Sequence, residues 1–332
     1  MKDDKKFHAL VVSKDKSLFS YKVEEKNIND LPANDLLIRV NYSNINYKDA
    51  LSCKGNPSIT RRFPHTPGID ACGTVVSSLD PDFNPGDSVI IIAKPMGLNT
   101  PGGFGQFIKI PSSWALKIQP DVSQEKLMAF GTAGFTSALA IQEIIKRNQN
   151  NLPSNILVTG ASGGIGIISI AILGHLGVNV TALTTQKNLE DRFKALGAKD
   201  IIHPNDLYEF TKQNLASPQW DAAIDVTGGE VLSSLLKAIH PAGTVCVTGN
   251  VQSTSFSSNV LPFILRGITL VGINAEMQDL HKRIQLITTL TTHWMPINFP
   301  SVYKIVSLND LPMQMDSFIE GTVFGRLVVD MS

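Results

Sequence analysis

The sequence is poor in cysteine, with only Cys53, Cys72 and Cys246 among its 332 residues. Three widely spaced cysteines provide neither a disulfide framework nor a CxxC pair, and they are typical of a protein from a reducing compartment. The seven histidines form no HExxH motif. Their spacing therefore gives no support for a zinc-protease site.

An excess of charge of either sign is also missing, because 29 Lys and Arg residues balance 29 Asp and Glu residues. A protein that binds nucleic-acid phosphates normally needs a basic excess, so we expect no nucleic-acid partner. No run approaches the roughly 18 apolar residues of a membrane span. The charged N-terminal stretch MKDDKKFHAL lacks the apolar core of a secretory signal. We therefore expect a cytoplasmic protein without a membrane partner.

What the sequence does contain is enough apolar material for about two domains, at roughly 150 residues per domain. Hydrophobic residues make up 43% of the chain and charged residues 17%, which excludes a disordered protein. In residues 1–125, short β-type runs such as Leu36–Asn41 and Ser88–Ala93 alternate with turn clusters rich in glycine and proline. This pattern predicts a small β-barrel.

From about Met128 to Asn274 the pattern changes to alternating strands and helices. Repeated strand–helix–strand units with short loops predict a parallel, doubly wound sheet. After Trp294 short β-type runs return, and we interpret them as the completion of the first domain. The predicted domains are residues 1–127 with 296–332, and residues 128–295.

The segment Val158–Gly166 reads VTGASGGIG and lies between a predicted strand and a predicted helix. Its small residues let the backbone approach a pyrophosphate, and a helix N-terminus directs N–H groups at it. The alternatives are a tight turn without a ligand and a hydrolase nucleophile elbow. The elbow would use Ser162 with Asp225 and one of three histidines, which are His240, His281 and His293.

The end of the next predicted strand indicates which nicotinamide cofactor is bound. It reads Thr184-Thr185-Gln186-Lys187 and lacks the acid that holds the ribose 2′-hydroxyl in NAD enzymes. Hydroxyls, an amide and a cation suit a 2′-phosphate, and a charge-assisted hydrogen bond is worth roughly 1.5–3 kcal/mol. We therefore predict NADP(H). The alternative for Lys187 is an ordinary surface lysine.

Several motifs together resemble one enzyme family. They are NYKDAL at 46–51, PGID at 67–70, GTAGFT at 131–136 and PFILR at 262–266, along with the glycine segment. In this combination the chain resembles the zinc-independent medium-chain dehydrogenase/reductases of the quinone-oxidoreductase-like group, in the acryloyl-CoA reductase branch. The resemblance implies a GroES-like β-barrel followed by a Rossmann domain, with the active site in the cleft between them. It also implies a homodimer.

The resemblance also implies site residues. Tyr47 and Asp49 would be catalytic, although Tyr47 could instead shape the cofactor pocket and Asp49 could be structural. Arg61, with Arg62 and Lys54, would contact a substrate anion, or the three could form an ordinary surface patch. The residues implied to bind NADP(H) are Tyr47, Thr132, Ser162, Gly163, Gly164, Ile165, Thr184, Thr185, Gln186, Lys187, Asn250, Ile264 and Ala275.

No metal is expected. Zinc-dependent relatives carry cysteine where Asn46 stands and His-Glu where Ile69-Asp70 stand, and a catalytic zinc needs about three protein ligands. We therefore expect zinc-independent reduction of the C=C bond of a short α,β-unsaturated acyl-CoA such as acryloyl-CoA, with hydride from NADPH. The alternatives are a quinone or enone reductase and an NADPH-binding protein with little turnover.

Overall fold

The computed structural model describes residues 6–332, apart from the side chain of Lys187. It divides into two compact units. The first contains the described residues up to Thr132 together with Tyr303–Ser332, and the second is Ala133–Val302. The elements, in chain order, are β1 (Lys6–Asp15), β2 (Leu18–Asn27), β3 (Leu36–Asn44), α1 (Tyr47–Cys53), β4 (Ala71–Ser78), β5 (Ser88–Ile91), β6 (Phe107–Ile110), β7 (Leu116–Lys117), α2 (Gln124–Arg147), β8 (Asn155–Thr159), α3 (Gly164–His175), β9 (Asn179–Leu183), α4 (Glu190–Ala195), β10 (Ala198–Ile202), α5 (Pro204–Phe210), β11 (Trp220–Asp225), α6 (Gly229–Leu235), β12 (Ile239–Val247), α7 (Leu261–Arg266), β13 (Thr269–Gly272), α8 (Leu280–Thr291), β14 (Tyr303–Ser307), α9 (Leu311–Ile319) and β15 (Arg326–Asp330).

The division falls after Thr132 and after Val302, whereas the boundaries predicted from the sequence lie at 127/128 and 295/296. Hydrogen bonds from side chains of the first unit to backbone carbonyls of α2 accompany the first difference. The carbonyl oxygen of Met128 accepts from Asn44 Nδ2 at 2.6 Å, and that of Ala129 accepts from Arg326 Nε at 3.2 Å. This stretch is therefore bound to strands of the first unit.

The first unit is built from antiparallel pairing. β1 and β2 form a hairpin, and the larger sheet of the described residues has the order β14-β15-β3-β4-β5-β7, with β6 on β3. Within it β14 and β15 are parallel, although the other pairs are antiparallel. In β3 the residues Leu36, Ile38 and Val40 alternate inward and are at most 1% exposed. One face of the strand thus builds the hydrophobic core.

The second unit contains a parallel sheet in the order β10-β9-β8-β11-β12-β13. Ile156, Leu157 and Val158 of β8 are all 0% exposed, as expected for a central strand covered on both faces. The order departs in both directions from β8, so the sheet is doubly wound and confirms the predicted mixed α/β class. All its carboxyl ends meet at one edge.

Helix α2 differs from the sequence expectation. Among the described residues it is long and apolar enough to cross a membrane by length and composition, with a mean hydropathy of 1.2 over 18 residues. However, 78% of that window is buried inside the protein. We therefore interpret α2 as a core helix. Its glycines, threonines and alanines interrupt the strongly apolar residues, so the sequence shows no continuous, strongly apolar run in this helix.

The three cysteines are all buried and free. Cys53 and Cys72 belong to the first unit and Cys246 to the second. Burial raises the pKa of Cys53 and of Cys72 far above the ordinary value, and it raises the pKa of Cys246 to about 12. All three therefore stay protonated at neutral pH.

Candidate active site

The carboxylate of Asp70 is the centre of a buried polar network in the first unit. Its Oδ2 accepts hydrogen bonds from Asn44 Nδ2 at 3.1 Å, Asn46 Nδ2 at 3.0 Å and Thr132 N at 2.8 Å. Its Oδ1 accepts from Thr132 Oγ1 at 2.5 Å. Asp70 is 0% exposed, and these donors satisfy the desolvated charge.

The guanidinium of Arg326 supplies the buried cation of the same network. It donates to the carbonyls of Ile45 (2.9 Å) and Ala129 (3.2 Å) and to Asn46 Oδ1 (3.1 Å), while Arg326 is only 3% exposed. Burial lowers the pKa of Arg326, whereas the charges of Asp70 and Asp49 raise it. An arginine remains charged even so, and Asn46 links the cation to Asp70.

Gly131 gives helix α2 its kink beside this network. Its φ of 52° lies in the left-handed region. A Cβ there would lie 2.2 Å from Asn44 Nδ2 and 2.5 Å from Asp70 Oδ2. The kink orients Thr132, whose hydroxyl donates to Asp70 and accepts from the N–H of Ala93 at 2.7 Å. Because its proton is directed at Asp70, the hydroxyl of Thr132 presents only acceptor capacity elsewhere.

Helix α1 brings Tyr47 and Asp49 onto one short segment. Tyr47 is its first residue and is 54% exposed. Asp49 is 0% exposed; its Oδ2 accepts from the N–H of Asn46 at 2.9 Å, and its Oδ1 accepts from the N–H groups of Gly68 and Ile69 at 3.0 Å each. Burial raises the pKa of Asp49 to about 7, although these backbone hydrogen bonds lower it. These contacts hold the start of α1 in place.

The donor set at this position does not fit a zinc ion. In the part of the chain that the structure describes, no three His, Cys, Asp or Glu side chains lie together as metal ligands. Asn46 and Ile69 provide an amide and a hydrocarbon, and Asp70 is occupied by four hydrogen bonds. Zinc sites use about three ligands of the Cys, His or carboxylate type.

In the second unit, the glycine segment forms the expected turn between β8 and α3. Gly160 has a φ of 58°, and its carbonyl accepts from the N–H of Gly163 at 3.0 Å. A Cβ on Gly166 would lie 2.4 Å from the oxygen of Gly160 and 2.7 Å from the Cα of Ala161, so only glycine fits. The first N–H groups of α3 have no acceptor within the helix. Ser162, Gly163, Gly164 and Ile165 therefore form a turn that fits a diphosphate.

The other predicted cofactor residues mostly lie along the same edge of the parallel sheet. Thr184, Thr185 and Gln186 follow β9, Asn250 follows β12 and Ala275 follows β13. The hydroxyl of Thr184 is buried and accepts from the N–H of Gln186 at 3.0 Å, which shapes this turn. The side chain of Lys187 lies outside the part of the chain that the structure describes.

Ile264 is the exception among these residues. It is 69% exposed and belongs to α7. Two residues later, Arg266 Nη1 donates to the carbonyls of Lys237 and Ile239, at 2.9 and 3.0 Å. These carbonyls lie at the amino end of β12, because a parallel crossover must return there before the next strand starts. Arg266 thus binds the end of α7 to the start of β12, and the cofactor contact of Ile264 stays a prediction.

Asp225, at the end of β11, supports the turn next to the glycine segment and is not among the predicted cofactor residues. Its carboxylate is 0% exposed and accepts from Thr159 Oγ1 at 2.6 Å, Thr227 Oγ1 at 2.8 Å and the N–H of Gly228 at 2.8 Å. These bonds hold the turn after β8 against the turn after β11. In a hydrolase triad the carboxylate of Asp225 would accept a hydrogen bond from a histidine. Among the described residues no histidine donates to it, and its donors are threonines and backbone amides. The nucleophile-elbow alternative therefore lacks the contact between acid and histidine that a hydrolase triad requires.

Two protein-family models match the chain. The one described as "Alcohol dehydrogenase GroES-like domain" covers residues 32–120, and the one described as "Zinc-binding dehydrogenase" covers residues 164–289. The first lies within the antiparallel unit and the second within the parallel one. The chain is an oxidoreductase and belongs to the medium-chain dehydrogenase/reductase family, as predicted, with a GroES-like barrel and a Rossmann-type sheet.

Particular relatives narrow this to one group. The chain is 35% identical to the "Putative quinone oxidoreductase YhfP" of Bacillus subtilis, across 97% of this chain and 98% of that protein. It is 33% identical to the "Acrylyl-CoA reductase AcuI" of Ruegeria pomeroyi, across 98% and 99%. The crystal structure of the YhfP protein with NAD bound has a TM-score of 0.93 and covers 98% of this chain and 99% of that one. The yhdH oxidoreductase of Salmonella enterica in complex with NADP has a TM-score of 0.92 at 31% identity, covering 98% and 100%. The chain belongs to the quinone-oxidoreductase-like and acrylyl-CoA reductase group.

Replacing the buried cation tests the network. We expect Arg326→Met to lower the free energy of unfolding by about 3–5 kcal/mol, because it leaves three buried acceptors without their donor and removes the positive charge near Asp70 and Asp49. The matched control is Arg39→Met, at an exposed position on β3 in the same unit, for which a change within about 0.5 kcal/mol is expected. Urea unfolding followed by circular dichroism measures both. Equal unfolding midpoints would show that the first unit does not depend on this cation.

The pKa of Asp49 gives a pH dependence of stability. Its folded pKa, about 7, is above the unfolded value of about 3.9. Asp49 therefore contributes most below the unfolded pKa, and the contribution is lost as the pH rises towards 7. We expect the melting-temperature difference between the native chain and Asp49→Asn, which cannot ionise, to shrink from pH 5 to pH 8. A difference that stays constant over this range would contradict the raised pKa.

Proposed function

We propose that the protein reduces the C=C bond of a short α,β-unsaturated acyl-CoA such as acryloyl-CoA, using NADPH and no zinc. The observation that carries the proposal is the network around Asp70. Where zinc-dependent relatives have metal ligands, this chain has a hydrogen-bonded amide, hydrocarbon and carboxylate. A polarised alkene needs no metal Lewis acid, whereas an unactivated alcohol is difficult to oxidise without one. The similarity to the acrylyl-CoA reductase of Ruegeria pomeroyi supports the same proposed reaction.

The cofactor in this proposal is NADP(H), which supplies the hydride when bound. The glycine turn fits its diphosphate, and the end of β9 lacks the acid that favours NAD. The yhdH oxidoreductase of Salmonella enterica, solved in complex with NADP, supports this choice, although the YhfP structure contains NAD. In the proposed site the diphosphate contacts Ser162, Gly163, Gly164 and Ile165, the 2′-phosphate contacts Thr184, Thr185, Gln186 and Lys187, and the nicotinamide end contacts Tyr47, Thr132, Asn250 and Ala275.

We propose that Tyr47 donates the proton that the reaction requires. Hydride addition at the β-carbon leaves negative charge on the thioester oxygen, and the α-carbon then takes a proton. The exposed phenol of Tyr47 can donate a hydrogen bond or this proton. Asp49 becomes a positioning residue, because it holds the amides of Asn46, Gly68 and Ile69 and thereby fixes the start of α1.

Two other features of the proposal concern the setting of the protein. We propose a homodimer, since β13 is an edge strand of the parallel sheet and, in the preceding helix α7, Ile264 and Leu265 are 69% and 64% exposed. This assigns Ile264 to a subunit interface in place of a cofactor contact within one chain. We also propose a cytoplasmic location, which the three free thiols support.

Steady-state oxidation of NADPH separates the proposed function from its alternatives. We expect kcat/KM for acryloyl-CoA to exceed that for a short quinone and for a simple enone by at least about tenfold, a transition-state preference of about 1.4 kcal/mol. The rate should survive treatment with a zinc chelator. Preference for the quinone or enone would favour that reductase instead, as the name of the YhfP relative suggests. Tight NADPH binding without turnover would favour a binding protein.

Removing one hydroxyl tests the role of Tyr47. If its phenol is the proton donor, Tyr47→Phe should lower kcat at least about tenfold, within the range of general acid catalysis. NADPH binding, followed by fluorescence, should stay near its native value. Tyr208→Phe is the matched control, since among the described residues the hydroxyl of Tyr208 accepts only from Gln252 Nε2, in the second unit. An unchanged kcat in Tyr47→Phe would reduce Tyr47 to a packing role.

A further inference from the structure

The first unit contains an open cavity that the proposed cofactor contacts do not use. Its volume is about 650 Å³. Two chain segments build it, the end of β1 and the segment that follows Thr60. The lining residues are Ser13, Lys14, Arg61, Arg62, Phe63 and Pro64.

The backbone around this cavity is fixed on both sides. Val12 and His65 exchange two backbone hydrogen bonds, of 2.7 and 2.9 Å, which join β1 to the second segment. On the other side, Thr60 Oγ1 donates to the carbonyl of Leu98 at 2.6 Å, and the N–H of Arg61 donates to Asn99 Oδ1 at 3.0 Å. The side chains of the wall are therefore presented from a preorganised frame, which reduces the entropy cost of binding.

The wall is strongly cationic. Within the described residues it carries Lys14, Arg61 and Arg62 and no carboxylate, and none of these three forms an ion pair. Arg61 Nε donates to the carbonyl of Pro57 at 3.1 Å, and the Lys14 ammonium lies 5.7 Å from the centre of the Phe19 ring. The chain as a whole has zero net charge, so the three uncompensated cations are a local concentration of positive charge around this cavity. They create a positive potential that attracts an anion.

We propose that this cavity binds the phosphates of coenzyme A, the polyanionic handle of the enoyl thioester. The inference rests on the proposed function and extends it, since it assigns the recognition of the thioester to a site away from the reacting bond. Guanidinium groups suit phosphate because they donate in a planar fork, and two of the three cations are arginines. The set also differs from the sequence expectation, because Lys14 lines the cavity and Lys54 does not.

The path from this cavity to Tyr47 runs along one rigid piece of the first unit. Ser52 Oγ and Thr60 Oγ1 are 2.8 Å apart, so the segment that carries Arg61 is tied to α1. Ser52 lies five residues after Tyr47, which corresponds to about 7.5 Å along the helix axis. The long pantetheine arm of coenzyme A separates its phosphates from the thioester. A phosphate-binding site beyond the far end of α1 therefore suits this ligand. A quinone carries no such handle.

The test compares two thioesters that differ only in the phosphate-bearing end, acryloyl-CoA and S-acryloyl-pantetheine. In the double variant Lys14→Gln/Arg62→Gln, we expect the ratio of kcat/KM for acryloyl-CoA to that for S-acryloyl-pantetheine to fall about tenfold or more, through KM. The native ratio should also fall as salt is raised, and less steeply in the variant. Lys304→Gln, at an exposed position on β14 in the same unit, is the matched control and should keep the native ratio.

A binding measurement separates failure of this inference from failure of the proposed function. Coenzyme A is titrated calorimetrically into the chain saturated with NADP⁺, so that the glycine turn is already filled. Binding that weakens about tenfold in the double variant, and not in Lys304→Gln, supports the site even if acryloyl-CoA is not reduced. Reduction of acryloyl-CoA with an unchanged substrate ratio in the double variant overturns the inference and leaves the proposed function standing. Absence of coenzyme A binding to the native chain also overturns it.

Discussion

Burying the carboxylate of Asp70 and the guanidinium of Arg326 in one small unit costs several kcal/mol per ion unless each is hydrogen-bonded on all sides. The chain meets this demand with amides. Asn46 accepts from the arginine and donates to the aspartate, and Asn44 donates to the same oxygen of Asp70 and to a carbonyl of α2. The geometry of β3, β4, β15, α1 and the helix kink therefore depends on one connected set of hydrogen bonds.

The network also accounts for the start of α1, where the buried residues Asn46 and Asp49 flank an exposed tyrosine. Asn46 and Asp49 face inward and are held, while Tyr47 between them is exposed on the first turn. A rigid support for one exposed phenol is what a positioned proton donor needs, because small errors in geometry cost large factors in rate. In the second unit Asp225 has the corresponding supporting role, since it orders the turn beside the glycine segment through two threonines and an amide.

The parts of the fold and site that the sequence predicted are those with local signals. The turn at Gly160–Gly166 follows from small residues between a strand and a helix, and the parallel sheet follows from repeated strand–helix units. The Asp70 network could not be found in this way, because Arg326 lies 280 residues from Asn46 and its neighbours in the sequence say nothing of burial. The exposure of Ile264 on α7 could not be predicted for a related reason, because the motif that names the residue carries no information about its burial.

The burial of all three cysteines limits the reaction of their thiols with electrophiles. An α,β-unsaturated thioester is an electrophile, and a thiolate on the protein that binds it would add to the same carbon that receives the hydride. Cys53, Cys72 and Cys246 are enclosed, and burial keeps their sulfurs protonated. If the proposed enoyl thioester is the substrate, these buried thiols are withheld from it as competing nucleophiles.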